Sequence, residues 1–384
     1  MALAGCGAGA AASEPPPPGN RIAGDRLTVY VAAPLNGPSA VSGRAVITGA
    51  AGALSAIDGR IGRYHVTLSV LNDATAAAAE WNAPAAGAAA TTAAADPTTI
   101  GYVGDFNSGA TAVSIPILNR LGIAQVSPAS TAVGLTSNGV GSSPGEPEAY
   151  YPTTRRTFAR VVPSDYIQAQ VQVTLQRQRG CHATYVLDDG EYDGEAAAQA
   201  FDAVAAQRGL NVIATQSYVP TAASYVAVGQ TIAGSGADCV LFAAITDRNA
   251  VALTTQVAAQ VPHDQLFGTM GLAESSYVDP AAGGVSAAVG SRLLITAAGD
   301  GPNLFEANGY EATRLLLLAI REATDDGKRQ AQRVRVVAAL FSNRRRTGQL
   351  GSYRITADGD TTLKRYGVYR VVRGQLELWR TIAG

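Results

Sequence analysis

The chain has 384 residues, 47% hydrophobic, 15% charged and 6% aromatic, and its 29 Lys and Arg against 30 Asp and Glu leave a formal net charge of −1. That length suggests two or three domains with real cores and excludes a small stapled scaffold. A near-neutral chain lacks the broad positive field that a phosphate backbone needs, which excludes nucleic acid as a partner. No run of ~18 to 20 strongly apolar residues exists; the Ala-rich stretch 76–95 is broken by Trp81, Asn82, Pro84 and Gly87.

In chain order, the first feature is Leu3-Ala4-Gly5-Cys6, which resembles the lipobox of bacterial lipoproteins, where the cysteine is lipidated and becomes the mature N-terminus. The apolar leader expected before such a cysteine is missing. Either the signal peptide has been trimmed, with Cys6 lipidated and the protein anchored outside the cytoplasm, or the cysteine is incidental. Small residues 7–12 and then Pro15 to Pro18 favour an extended polyproline spacer, so residues 1–24 read as lipoprotein N-terminus and tether.

Beyond the tether, apolar runs at 27–33, 64–71, 100–103 and 123–126 predict buried strands, with Ala-rich helices near 40–57, 74–95 and 109–121 between them. A second series follows. Strands are predicted at 184–187, 212–218 and 240–244, and helices near 165–179, 193–208, 224–235 and 247–260. Short connections in a strand–helix alternation imply parallel sheets covered on both faces, hence two doubly wound α/β lobes. Residues 138–156 form the longest irregular stretch and predict a surface excursion or a hinge-side loop. In the tail, a helix is expected over 310–323 and strands over 352–356, 366–372 and 375–379.

Several motifs invite a chemical reading and fail on context. Thr48-Gly49-Ala50-Ala51-Gly52-Ala53 lies about 15 residues past the first strand, too far to bring helix amides to a pyrophosphate, and reads as close helix packing. Gly141-Ser142-Ser143-Pro144-Gly145 matches a nucleophile elbow but has no strand before it or helix after it. His65, His182 and His263 form no i, i+4 pair, and no Cys-x-x-Cys occurs, so no metal ligand set is expected. Asp188-Asp189 ends a strand, where carboxylates suit a helix N-terminus better than acid–base work. Cys181 and Cys239 fall at the starts of strands that neighbour each other in a doubly wound unit. They could bridge or remain two buried thiols; export favours the bridge.

Residues 30–38 (YVAAPLNGP) with Ser42-Gly43 are similar to the opening of the branched-chain amino-acid group of type I periplasmic solute-binding proteins. The resemblance continues through VLNDA at 70–74, GYVGDFNSGA at 101–110, GIAQVSPAST at 122–131, RVVPSD at 160–165, YVLDDGEYDG at 185–194 and GSYRITADG at 351–359. It covers roughly residues 25–384. It implies two Rossmann-like lobes with a hinge and a central cleft, residues 25–160 plus 297–363 and residues 161–296 plus 364–384. It also implies a monomeric, non-enzymatic, cofactor-free receptor that hands a small carboxylate-bearing solute, an amino acid or a related acid or amide, to the membrane permease of an ABC importer. A ligand-sensing ectodomain of the same fold is the alternative, and an enzyme a more distant one.

Carried over position by position, the resemblance implies that the ligand carboxylate is held by Ser108 and by Ala129, Ser130 and Thr131, and that Tyr192 covers the ligand. The chain departs from the pattern where Met270 stands at the acidic position that pairs with a ligand ammonium, and where Ser42 and Ile245 replace aromatic residues. A buried ammonium without a carboxylate is costly. The departure implies an acid larger or less cationic than leucine, unless Glu274 or Asp247 takes over that role.

Overall fold

The computed structural model describes residues 19–299, 301 and 303–384; Cys6 and the tether through Pro18 lie outside the described residues. The first strand, β1 (Arg26–Ala33), is buried at every position but its first, as expected of a strand with both faces covered. It pairs in parallel with β2 (Tyr64–Asn72) on one side and β3 (Thr99–Val103) on the other. Beyond β3 follow β4 (Ala124–Ser127) and β5 (Phe158–Arg160), also parallel, giving the order β2-β1-β3-β4-β5 with the short strand Arg60–Ile61 outside β2. Alternate residues of β1 point to opposite sides. Leu27, Val29 and Val31 join the core beneath α1 (Ala40–Ser55), and Tyr30 and Ala32 the core beneath α2 (Ala83–Ala95) and α3 (Ser108–Asn119).

The second sheet begins after α4 (Asp165–Arg179) with β6 (Ala183–Asp188). Helix α5 (Tyr192–Arg208), β7 (Asn211–Ser217), α6 (Val226–Ser235), β8 (Cys239–Ala243), α7 (Ala250–Gln260), β9 (Gln265–Gly268) and β10 (Leu293–Ala297) follow. Its order is β7-β6-β8-β9-β10, all parallel, closed by β11 (Arg365–Val372) and β12 (Gln375–Ala383) in antiparallel pairing. Between β10 and β11 the chain returns to the first sheet. There α8 (Leu304–Ala323) packs along α1, and α9 (Arg333–Leu340) supports β3 and β4. Gly49 and Gly309 make the α1–α8 crossing possible, because a Cβ on either would collide with backbone of the facing helix. The TGAAGA stretch therefore serves helix packing.

Arg160 ties a connection between the sheets. Fully buried, it donates from Nε to Asp360 at 2.7 Å and from its other nitrogens to the Ala132 carbonyl at 2.7 Å and the Thr136 hydroxyl at 2.6 Å. Next to it the Tyr366 hydroxyl donates to the Pro163 carbonyl at 2.7 Å. Cys181 and Cys239 form a disulfide in the second lobe, Cα atoms 5.9 Å apart, and Cys239 lies in register with Thr184 of β6. Among the described residues, the one cluster with metal-ligand spacing is this cystine and Asp238.

Two regions depart from the sequence expectation. Residues 74–82 form a small hairpin, Ala74–Thr75 against Glu80–Trp81, and the helix begins only at Ala83. Asn82 caps it by accepting from the Ala85 amide, and Pro84 fits only the first turn, where no intrahelical N–H is needed. In the tail, Gly351–Tyr353 pairs with Arg346–Gly348 as a short hairpin, and β12 runs on to Ala383. The 138–156 excursion is anchored: Tyr151 is buried and donates to the Leu135 carbonyl at 2.7 Å, and Asn119 holds Thr153 and the Arg155 carbonyl.

Candidate functional site

In both sheets the loops that follow the C-terminal ends of the parallel strands face each other, the position at which open α/β sheets take ligands. The cavity enclosed between them is small, about 20 Å³. The first lobe contributes Phe106, Asn107, Ala129, Thr131 and Phe305; the second contributes Asp193, Ile245, Met270, Gly271 and Glu274. Phe106 and Phe305 pack with centroids 4.8 Å apart and ring planes tilted by 56°, and make one apolar wall. Among the described residues, the lining holds two carboxylates and no basic side chain.

The first-lobe wall is a cradle of donors. Helix α3 starts at Ser108, so the Ser108 N–H is free of intrahelical bonding. The Ser108 hydroxyl accepts from the Thr131 amide at 3.1 Å and the Ala132 amide at 3.2 Å and donates to Asp193 Oδ1. The Ser108 amide and the Thr131 hydroxyl further stabilise the Asp193 charge, while burial pushes its carboxyl up. Behind the cradle lies a buried polar network. The Ser130 hydroxyl bonds Thr111 at 2.7 Å and Ser127 at 2.9 Å, and Asp105 accepts from Tyr102 at 2.9 Å and from Ser114. These bonds fix the SPAST turn from below.

The second-lobe wall is acidic. Glu274 is 2% exposed; its Oε2 accepts from the Ser39 hydroxyl at 2.9 Å, and its Oε1 has no hydrogen-bond partner. Burial, with Asp247 beside it, pushes the Glu274 carboxyl up to about 8 against hydrogen bonds from Ser39, Thr246 and Ser42. Asp247 accepts from the Ser39 amide at 2.9 Å and is pushed by burial to about 6. Asp189 accepts from the Ile245 and Glu191 amides, fixing both loops, and burial outweighs those bonds to bring it to about 7. Across the cavity, buried Asn107 leaves Oδ1 without a partner. Two buried polar atoms without partners thus border one space, and both are acceptors once Glu274 is ionised. Buried acceptors demand donors, so this half of the site suits a group rich in N–H.

The structure gathers Ala129, Thr131, Ile245 and Met270 in the cavity wall, with Ser108 one bond behind Asp193. Three other expected residues stand apart from it. Ser42 is buried in α1 on the side of Glu274; Ser130 spends its hydroxyl in the network behind the turn; the Tyr192 hydroxyl donates to Glu146 Oε1 at 2.7 Å in the 138–156 excursion. Asp193, Asn107, Phe106 and Phe305 were not singled out from sequence. Their signal was adjacency alone: Phe106 and Asn107 precede Ser108, and Asp193 follows Tyr192. Glu274 places a carboxylate in the same wall as Met270.

Two doubly wound lobes whose strand ends enclose a polar cavity define a type I periplasmic binding protein. The chain belongs to the periplasmic binding protein family, whose model matches residues 27–375. It is similar in structure to the leucine-binding protein LivK of Thermotoga maritima, with a TM-score of 0.77 and 18% identity over 93% of this chain and 99% of that one. It is similar to an ABC-transporter solute-binding protein of Rhodopseudomonas palustris in complex with p-hydroxybenzoic acid, with a TM-score of 0.76 and 16% identity over 94% and 97%. LivJ of Streptococcus pneumoniae in complex with isoleucine gives 0.75 and 15% over 94% and 100%. Comparison with curated protein sequences gives no match. The family consists of extracytoplasmic binding proteins, not enzymes, and no described helix is long and apolar enough to cross a membrane.

Proposed function

We propose that this chain is the solute receptor of an ABC importer and that it captures a small carboxylate-bearing solute, best an α-amino acid, between its lobes. The observation that carries the reading is the cradle of Ser108 and Thr131 donors, which already holds a carboxylate, that of Asp193. A solute carboxylate there would receive the same donors, with the Ala129 and Ser130 turn as its floor. Its ammonium would meet Glu274 Oε1 and Asn107 Oδ1, and its side chain Phe106, Phe305, Ile245 and Met270. Tyr192, bound to Glu146, stays outside the cavity, and Ser42 beside Glu274 steadies it. The relatives fit this chemistry, since leucine, isoleucine and p-hydroxybenzoic acid all carry a carboxylate.

In this reading residues 25–160 with 297–363 move as one lobe and 161–296 with 364–384 as the other, hinged near Arg160 and Asp360. The receptor works as a monomer, held at the membrane by lipid on Cys6 and a proline tether, and needs no cofactor or metal. Isothermal titration against the common amino acids, aromatic acids, amides and dicarboxylates tests the assignment. Micromolar binding of an amino acid is the expected outcome, about −8 kcal/mol; binding of none of the carboxylates would refute it.

A further inference from the structure

The carboxylate in the cradle belongs to the opposite lobe. Asp193 lies in the first turn of α5, whose preceding Glu191 caps it by accepting the Asp193 amide at 2.8 Å, while Ser108 and Thr131 lie at the strand ends of the first lobe. Asp193 is thus both a wall of the cavity and an occupant of its anion site. Ser108 has one hydroxyl proton to give, so Asp193 and a solute carboxylate cannot use it together.

We infer that Asp193 is a built-in competitor for the carboxylate cradle and that it sets the receptor's selectivity. This rests on the solute-receptor reading above. With Asp193 seated, the cradle's donors are satisfied and the two lobes are bridged. An incoming acid exchanges one carboxylate for another in the same donor set, so that end of the solute contributes little to net affinity. The displaced Asp193 stays on α5 near Glu191, and Glu274 faces the same cavity. A solute with only a negative charge finds no partner at that wall and opposes the ionisation of these buried carboxyls. A zwitterion brings its own cation to Glu274 and Asn107, and affinity comes from that end. Asp193 therefore selects amino acids against simple acids such as benzoates.

The test compares wild type, Asp193→Ala and Asp193→Asn with three probes by isothermal titration: leucine, 4-hydroxybenzoate, and 3-methylbutylamine, which has the amine and apolar end of leucine without its carboxylate. Small-angle scattering of each protein without solute is measured alongside. The expected result is that D193A binds leucine about tenfold and 4-hydroxybenzoate about a hundredfold tighter than wild type, so that the leucine-over-benzoate preference shrinks, and that the solute-free mutant has the larger radius of gyration. D193N keeps the shape of the side chain without its charge and should fall between. Equal acid affinities in wild type and D193A with unchanged scattering would overturn the inference. So would wild type binding the amine as tightly as leucine, with that binding lost in D193A, since Asp193 would then stay seated and hold the cation itself; the receptor reading would survive in that case and only its carboxylate step would fail. If no probe binds any of the proteins, the ligand reading falls, and the scattering alone decides whether Asp193 bridges the lobes.

Discussion

Glu274→Gln should make the protein more stable and a weaker receptor at once. The native Glu274 carboxyl sits at about 8 and its ordinary value is 4.5. Keeping it protonated at pH 7 while the unfolded chain ionises therefore costs the native state about 3 kcal/mol. The sign is that of a raised carboxyl: the unpenalised stability is present below pH 4.5 and is lost as pH climbs toward 8. Gln has no proton to lose, and its amide oxygen can still accept from the Ser39 hydroxyl that Oε2 accepts at 2.9 Å. For a chain of 384 residues that relief raises Tm by about 3 to 4 °C at pH 7. Binding moves the other way. Removing the anion that faces a buried ammonium costs roughly 2 to 5 kcal/mol, and the ionisation that wild-type Glu274 needs at pH 7 returns about 1. The net loss is about 2 kcal/mol, near thirtyfold in Kd. Differential scanning fluorimetry from pH 4 to 9 and titration with the bound amino acid measure both effects. A variant that binds equally well, or whose stability keeps the wild-type slope between pH 4.5 and 8, would refute the assignment of Glu274 as the cation partner.

Capture of an ammonium at pH 7 should drive a proton off Glu274, seen as a binding enthalpy that changes with the ionisation enthalpy of the buffer; a buffer-independent enthalpy would argue that Asp247, already near 6, carries the charge instead. Ser108→Ala removes the hydroxyl that gathers the Thr131 and Ala132 amides, and in the Asp193→Ala background, where no competing carboxylate shares that hydroxyl, should weaken amino-acid binding by about 1 to 3 kcal/mol by titration. Reducing the Cys181–Cys239 bridge, which closes a separation of 58 residues, should lower stability by about 4 kcal/mol, read as a denaturation midpoint with and without reductant; an unchanged midpoint would mean the loop stays ordered when unfolded. Arg160→Met strips donors from Asp360, Thr136 and the Ala132 carbonyl, and should cost about 3 to 5 kcal/mol in chemical denaturation while loosening the SPAST turn.

The lobed architecture was readable because β1, β6 and β8 are apolar runs that only a covered sheet accommodates, and helices of ordinary length separate them. The hairpin at 74–81 was hidden because alanine is compatible with both neighbours' conformations, and the decisive residues, Asn82 and Pro84, act as a start signal inside the run. Ser108 and Thr131 could be named only through the family resemblance of their turns, and the Thr131 amide's bond to the Ser108 hydroxyl brings those turns together. Asp193 could not be placed, since its meaning depends on a hydrogen bond to a residue 85 positions away on the other sheet. Glu274 was likewise ambiguous: its burial and its partner Ser39, 235 positions earlier, exist only after the lobes meet. Periodicity reports the faces of elements, whereas pairing between two loop sets is a property of the assembled cleft.

The glycine crossing of α1 and α8 has a consequence for how this protein tolerates change. Where two helices touch through backbone, contact is made by main-chain atoms that no substitution can trim, and attraction grows from proximity instead of bulk. Truncating a side chain near Gly49 or Gly309 takes little away, whereas adding even one methyl at either position forces the axes apart along the whole of α1. An alanine- and glycine-rich interior of this kind is robust to loss and brittle to gain, the reverse of a core built on leucine and phenylalanine. Sequence drift in this lobe should accordingly run downward in side-chain size, and a library of single variants scored for folding would display that asymmetry as a ridge of intolerance centred on two residues that have no side chain at all.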